Sequence, residues 1–153
     1  MKNSKRSHIL RNGSLGVVVL LLLIQVVPYG RDHANPPVMQ EPNWDSPETR
    51  ALAQVACFDC HSNETVWSWY TNVAPFSWLV QHDVEEGRSK LNFSEWRLTN
   101  QHEEEMDEIS ETLREGEMPP LLYTLIHTNA RLSAAEREQL IRSLEATAAN
   151  ALR

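Results

Sequence analysis

Cys57-Phe58-Asp59-Cys60-His61 is preceded by Leu52, Val55 and Ala56 and followed by the polar turn Ser62-Asn63-Glu64-Thr65. The three apolar residues recur at i, i+3 and i+4, the spacing of one helix face. Ser46-Pro47-Glu48 supplies a start for that helix: an N-cap serine, proline at the first helical position and an acid in the first turn. A helix of about three turns is therefore expected to run directly into Cys57. Working outward, Ser77 can cap a second helix over Trp78–Lys90, with Leu79 and Val80 as its first inward residues. Within residues 101–115 (QHEEEMDEISETLRE), Met106, Ile109 and Leu113 form a stripe, which predicts a surface helix with a narrow buried face ended by Gly116. Leu121, Leu122, Tyr123, Leu125 and Ile126 make a short apolar run whose type the pattern leaves open. Ser133-Ala134-Ala135-Glu136 has the form of a capping box and opens a helix to about Asn150, with Leu140, Ile141 and Leu144 on one face. No alternating strand pattern, internal repeat or low-complexity tract is present. The chain reads as all-α.

Cys57 and Cys60 are the only two cysteines among 153 residues. Three chemistries use such a pair. C-x-x-C-H is the attachment signature of a c-type haem, in which each thiol becomes a thioether to a vinyl group and the adjacent histidine reaches the iron. A thioredoxin-like dithiol would place the pair at a helix N-terminus after a buried strand; here the preceding residues read as helical. Zinc needs four nitrogen or sulfur ligands, and no second ligand pair accompanies the motif. One covalently attached haem c uses both thiols and leaves none over. His61 is then the proximal ligand.

The other axial position of the iron has five candidates: Met118, Met106, His82, His102 and His127. Met118 is preferred. It follows a helix stop, and Pro119-Pro120 stiffen a loop that can hold a thioether sulfur over the haem face. Met106 lies on the amphipathic stripe and reads as core; His82 and His102 fall in polar helical stretches; His127 precedes a polar loop and is held in reserve. Trp67, Trp69, Tyr70, Phe76 and Trp78 form an aromatic-rich stretch suited to covering a flat apolar disc and packing on the helices.

The N-terminus is organised as a basic flank, an apolar run and a polar return. Lys2, Lys5, Arg6 and Arg11 precede Leu15–Val27 (LGVVVLLLLIQVV), in which Gln25 is the sole polar residue. Such a run makes a signal-peptide core and is short for a spanning helix of roughly 20 residues. Val26-Val27-Pro28-Tyr29 is a poor cleavage site, which favours an uncleaved signal anchor, and the positive-inside bias puts everything after Pro28 outside the cytoplasm. Residues 1–30 are thus expected to be a signal peptide or anchor, 31–45 a proline-containing linker, and 46–153 a haem-binding domain. The net charge is −7, with no acid before residue 31. An acidic domain will not be drawn to nucleic acid or to anionic lipid. Glu103-Glu104-Glu105-Asp107-Glu108 reads as a solvated helix face, with docking of a basic redox partner as the minority reading.

Taken together these residues resemble the bacterial haem-binding domain family, related to class I cytochromes c. The resemblance covers most of the chain from about Tyr29 to the last helix. It is carried by Pro28-Tyr29-Gly30-Arg31-Asp32-His33, Cys57-Phe58-Asp59-Cys60-His61-Ser62-Asn63, Trp67-Ser68-Trp69-Tyr70, Asn72-Val73-Ala74-Pro75, Ser77-Trp78-Leu79, His82-Asp83-Val84, Leu91-Asn92-Phe93-Ser94 and Gly116-Glu117-Met118-Pro119. It implies a cytochrome c-like helical fold around one haem bound through Cys57 and Cys60, with His61 proximal and Met118 matching the distal methionine. It also implies an exported domain behind an N-terminal membrane segment. Serine at 68 stands where the pattern has proline, which leaves the attachment site untouched. The expected function is one-electron transfer in the bacterial cell envelope, with a redox protein as partner. The alternative is a haem-based sensor or peroxidase-like enzyme with a displaceable distal ligand, since fold and cofactor are shared by carriers, sensors and enzymes.

Overall fold

A computed structural model of the chain describes residues 2–96 and 102–151. The described residues are helical and contain no strand; a single bridge between Gln40 and Glu95 is the extended pairing present. The α-helices are α1 (Lys2–Ile24), α2 (Pro47–Ala56), α3 (Phe58–His61), α4 (Phe76–Lys90), α5 (His102–Glu115), α6 (Leu121–Ile126) and α7 (Ala134–Ala151). Short 3-10 turns occupy Trp69–Asn72 and Thr128–Ala130. The all-α expectation therefore holds. By contact the chain divides into two compact units. One joins the residues up to His33 with Trp67–Asp83; the other joins Ala34–Val66 with the chain from Val84 onward.

In the second unit the local signals act as expected. Ser46 is extended, and its Oγ accepts from the Thr49 amide (3.2 Å), with Pro47 in the first turn of α2. At α7 the Ser133 amide donates to Glu136 Oε2 (2.8 Å) and the Glu136 amide to Ser133 Oγ (3.2 Å), a reciprocal capping box. Gly116, at φ 76°, ends α5 in the left-handed conformation that glycine adopts without steric cost. Leu113 and Met106 on α5 meet Leu140, Ile141 and Leu144 on α7, and this core continues through Ala53, Phe58, Leu91, Phe93 and Trp96. The segment before α2 is fastened as well: Met39 and Gln40 amides donate to the Ser94 carbonyl (2.9 and 3.0 Å), and Trp44 packs on the core.

In the first unit the apolar part of α1 is exposed on every side, from Leu15 to Leu23. Among the described residues no helix is long and apolar enough to cross a membrane. Gln25, just past α1, pairs with both backbone groups of Ala74: its Nε2 donates to the Ala74 carbonyl (2.9 Å) and its Oε1 accepts from the Ala74 amide (3.0 Å). Arg31 donates to the same Oε1 (3.0 Å). His33 stacks on Trp67 with ring centroids 4.8 Å apart. Helix α4 starts at Phe76, directly after Pro75, so Ser77 lies inside its first turn and not at the cap position expected from the sequence.

Candidate functional site

The C-x-x-C-H segment is one tight turn at the end of α2. The Cys57 amide still bonds back to Ala53 O (2.8 Å), and the Cys60 and His61 amides both donate to Cys57 O (3.1 and 2.9 Å). This winding places both sulfurs and the imidazole within one turn of chain. Phe58 is the motif's anchor in the core: it is buried, stacks on Phe93 (5.6 Å) and carries the Arg50 guanidinium over its ring (5.3 Å). Arg88 donates to Ser62 O (2.8 Å), and the Phe93 amide to His61 O (2.8 Å), so the chain leaving the motif is held too.

Neither cysteine is in a disulfide, and both are partly buried. Burial, assisted by the neighbouring Cys60, pushes the Cys57 thiol up to about 12. A thiol kept protonated is the opposite of what a thioredoxin-like nucleophile needs. Nor do the described residues include a group of three or more His, Cys, Asp or Glu side chains able to hold a metal ion, as the zinc reading would require.

His61 has a defined tautomer. Its Nδ1 lies 3.0 Å from Gly87 O and 3.1 Å from Leu91 O. Carbonyls only accept, so Nδ1 carries the proton and Nε2 keeps a lone pair. Burial lowers the imidazole pKa, and the two carbonyl bonds oppose that shift. Neutral, oriented and with Nε2 available, His61 has the form of a metal-ligating histidine whose second nitrogen is fixed by the backbone. Gly87 makes the approach possible, because a Cβ there would sit 2.5 Å from Cys60 O.

Met118 lies in the loop between α5 and α6, 39% exposed, with its amide 3.4 Å from Thr112 O. It borders an open cavity of about 220 Å³ with Leu121, Leu132, Arg131 and Arg137; neither cysteine nor His61 lines this cavity. The loop is nonetheless tied to the motif, because the Tyr123 hydroxyl on α6 donates to Asp59 Oδ2 (2.8 Å). Met106 is buried in the core, His82 is exposed, and His127 stacks on Tyr123 at 4.3 Å. The His102 side chain lies outside the described residues, as do those of Glu103 to Glu105.

Helix α6 is turned inside out. Leu121, Leu122, Leu125 and Ile126 are 55% to 73% exposed, while Thr124 is buried and Tyr123 and His127 are half-buried. A helix with its apolar side chains in water and its polar ones inward lacks the burial that normally stabilises it. With Met118 it presents an apolar surface on the segment that bonds to the C-x-x-C-H turn. Two thiols outside any disulfide, a neutral histidine with an available Nε2, a soft thioether and an uncovered apolar helix face fit a haem. The aromatic stretch is divided: Trp67 is stacked on His33, whereas Trp69 is 80% exposed.

Sequence reasoning did not find the Asp59–Tyr123 bond, the role of Gly87 or the Gln25 clasp. Gln25 had a legible signal, as the lone polar residue in an apolar run. Asp59 and Gly87 had none, because only the folded chain brings their partners near. The family described as haem-binding domain matches residues 19–146. No curated protein and no solved structure matches the chain.

Proposed function

The chain belongs to the haem-binding domain family, and on that premise we propose that it carries one haem c and works as a one-electron carrier in the bacterial cell envelope. Cys57 and Cys60 would hold the group through thioethers, each S–H adding across a vinyl double bond with no electrons left over. His61 Nε2 and Met118 Sδ would be the axial ligands. Held by these residues, the group would supply one-electron chemistry. The observation that carries the proposal is the His61 geometry: both available protein acceptors lie on Nδ1, beside two unbridged thiols. The chain itself is proposed to orient the imidazole through Gly87 and Leu91 and to cover the ligand with α6. The helical arrangement is read as cytochrome c-like, with residues 46–153 as the haem-binding domain, residues 31–45 as the segment leading to it and residues 1–30 as signal or anchor.

The N-terminal segment is proposed to act as an export signal and anchor, with the rest of the chain extracytoplasmic. Turn hydrogen bonds carry the helix-like winding from Ile24 to Val27, at 3.1 to 3.3 Å. The Gln25 clasp supports retention over cleavage, because removing the segment would leave the Ala74 amide and carbonyl without their partner. The redox partner is proposed to be another envelope protein.

The test is to purify the protein from a host with haem-attachment machinery and record ferric and ferrous spectra. Haem that stays with the denatured chain, lost in Cys57→Ala/Cys60→Ala, supports attachment. A methionine–iron charge-transfer band at the red end of the ferric spectrum, absent in Met118→Ala, supports the carrier. A high-spin spectrum that shifts with carbon monoxide would instead favour the sensor or peroxidase-like reading.

A further inference from the structure

We infer that the hydrogen bond from Tyr123 to Asp59 is a positioning contact that holds the Met118 loop against the haem-attachment turn; this rests on the reading of Met118 as the distal ligand. Helix α6 has six residues, far fewer than the roughly 12–15 that an isolated helix needs to be even marginally stable in water. Its apolar side chains point outward, so hydrophobic burial does not hold it in place. Polar contacts do: the Tyr123 hydroxyl to Asp59 Oδ2 at 2.8 Å, and Arg131 Nε to the Thr124 carbonyl at 2.8 Å. Of these two, only the Tyr123 bond reaches the C-x-x-C-H turn.

The acceptor is stiff. Asp59 sits between the two cysteines, its Oδ1 takes the Val66 amide at 2.9 Å, and its carbonyl takes Thr65 Oγ1 at 2.8 Å. The carboxyl group is therefore held at both oxygens and at its own backbone. The connection from Tyr123 back to Met118 is stiff as well. Pro119 and Pro120 each have a restricted φ, and the Thr124 amide bonds to Pro120 O at 3.0 Å. A shift at Tyr123 is thus passed to Met118 with little slack. Asp59, one of the two variable positions of the motif, acts here as the strut between the proximal turn and the distal loop.

The test uses the full-length, haem-loaded protein. Tyr123→Phe keeps the ring and its stack on His127 and removes only the hydroxyl. It should retain covalent haem and helix content. It should weaken the methionine–iron band and raise the affinity of the ferric iron for added imidazole about tenfold, the factor expected from losing one well-aligned hydrogen bond. Asp59→Ala should act in the same direction, and adding Tyr123→Phe to it should change the imidazole affinity little further. A merely structural bond would lower the melting temperature and leave imidazole affinity unchanged. The inference is overturned if the wild type shows the band, Met118→Ala abolishes it, and both Tyr123→Phe and Asp59→Ala leave band and imidazole affinity as in the wild type. A wild-type spectrum without the band overturns the Met118 assignment itself, and this inference with it.

Discussion

His61 is held by carbonyl oxygens at 3.0 and 3.1 Å, and the first of them belongs to Gly87, which lies against Cys60. Gly87→Ala should force α4 away from the motif, cost about 1–3 kcal/mol in urea unfolding, as overpacking does, and disturb the axial-ligand spectrum. An unchanged urea midpoint would show that the two segments are free to separate. A second residue-scale outcome concerns pH. The Arg50 guanidinium, bonded to Glu41 at 2.6 and 2.7 Å, holds the Glu41 carboxyl below its ordinary value of 4.5. A carboxyl with a lowered folded pKa stabilises above its unfolded value, and the benefit is lost as pH falls through the folded one. Glu41→Gln should therefore destabilise by about 0.5–1 kcal/mol near pH ~7 and by much less near pH ~3, the size being that of a partly exposed pair. Urea midpoints at the two pH values check this.

At the scale of elements, two short features govern how the motif is presented. Helix α2 delivers Cys57, and its N-cap is Ser46. Ser46→Ala should cost about 1 kcal/mol of stability, read by thermal or urea unfolding. The second feature is the clasp after α1. Gln25→Ala leaves the amide and carbonyl of Ala74 without that partner, and Ala74 is buried. It should cost about 1–3 kcal/mol and speed limited proteolysis within Trp67–Phe76; unchanged cleavage kinetics would argue that Gln25 is simply a tolerated polar residue. Most of these elements were legible beforehand, because caps and periodicity act within a few residues. The Ser46, Ser133 and Gly116 signals all marked helix ends. Ser77 did not, since the helix starts at Phe76, directly after Pro75 and two residues earlier than a capping serine at 77 would start it. The Leu121–Ile126 run stayed open because its apolar residues do not follow the inward face.

For the whole molecule the notable property is uncovered apolar surface: Leu121, Leu122, Leu125, Ile126 and Met118 in one unit, and Trp69, Val73 and Phe76 in the other. The side chains on α6 should bind a fluorescent apolar dye in the haem-free Cys57→Ala/Cys60→Ala protein and lose that binding in the loaded one. The haem-free form should also melt about 5–10 °C lower, the shift that a few kcal/mol gives a chain of this size. Equal melting temperatures would show that the cofactor contributes nothing to the fold. The sequence by itself determined the all-helical class, the C-x-x-C-H motif and most helix boundaries, since each depends on chemistry within about four residues. Tertiary structure alone decided which imidazole nitrogen is available, why position 87 is glycine, what Asp59 and Gln25 hold, and that α6 turns its apolar side outward. Those depend on partners 26 to 64 residues away along the chain, and no local pattern records which distant backbone carbonyl or hydroxyl a side chain will meet.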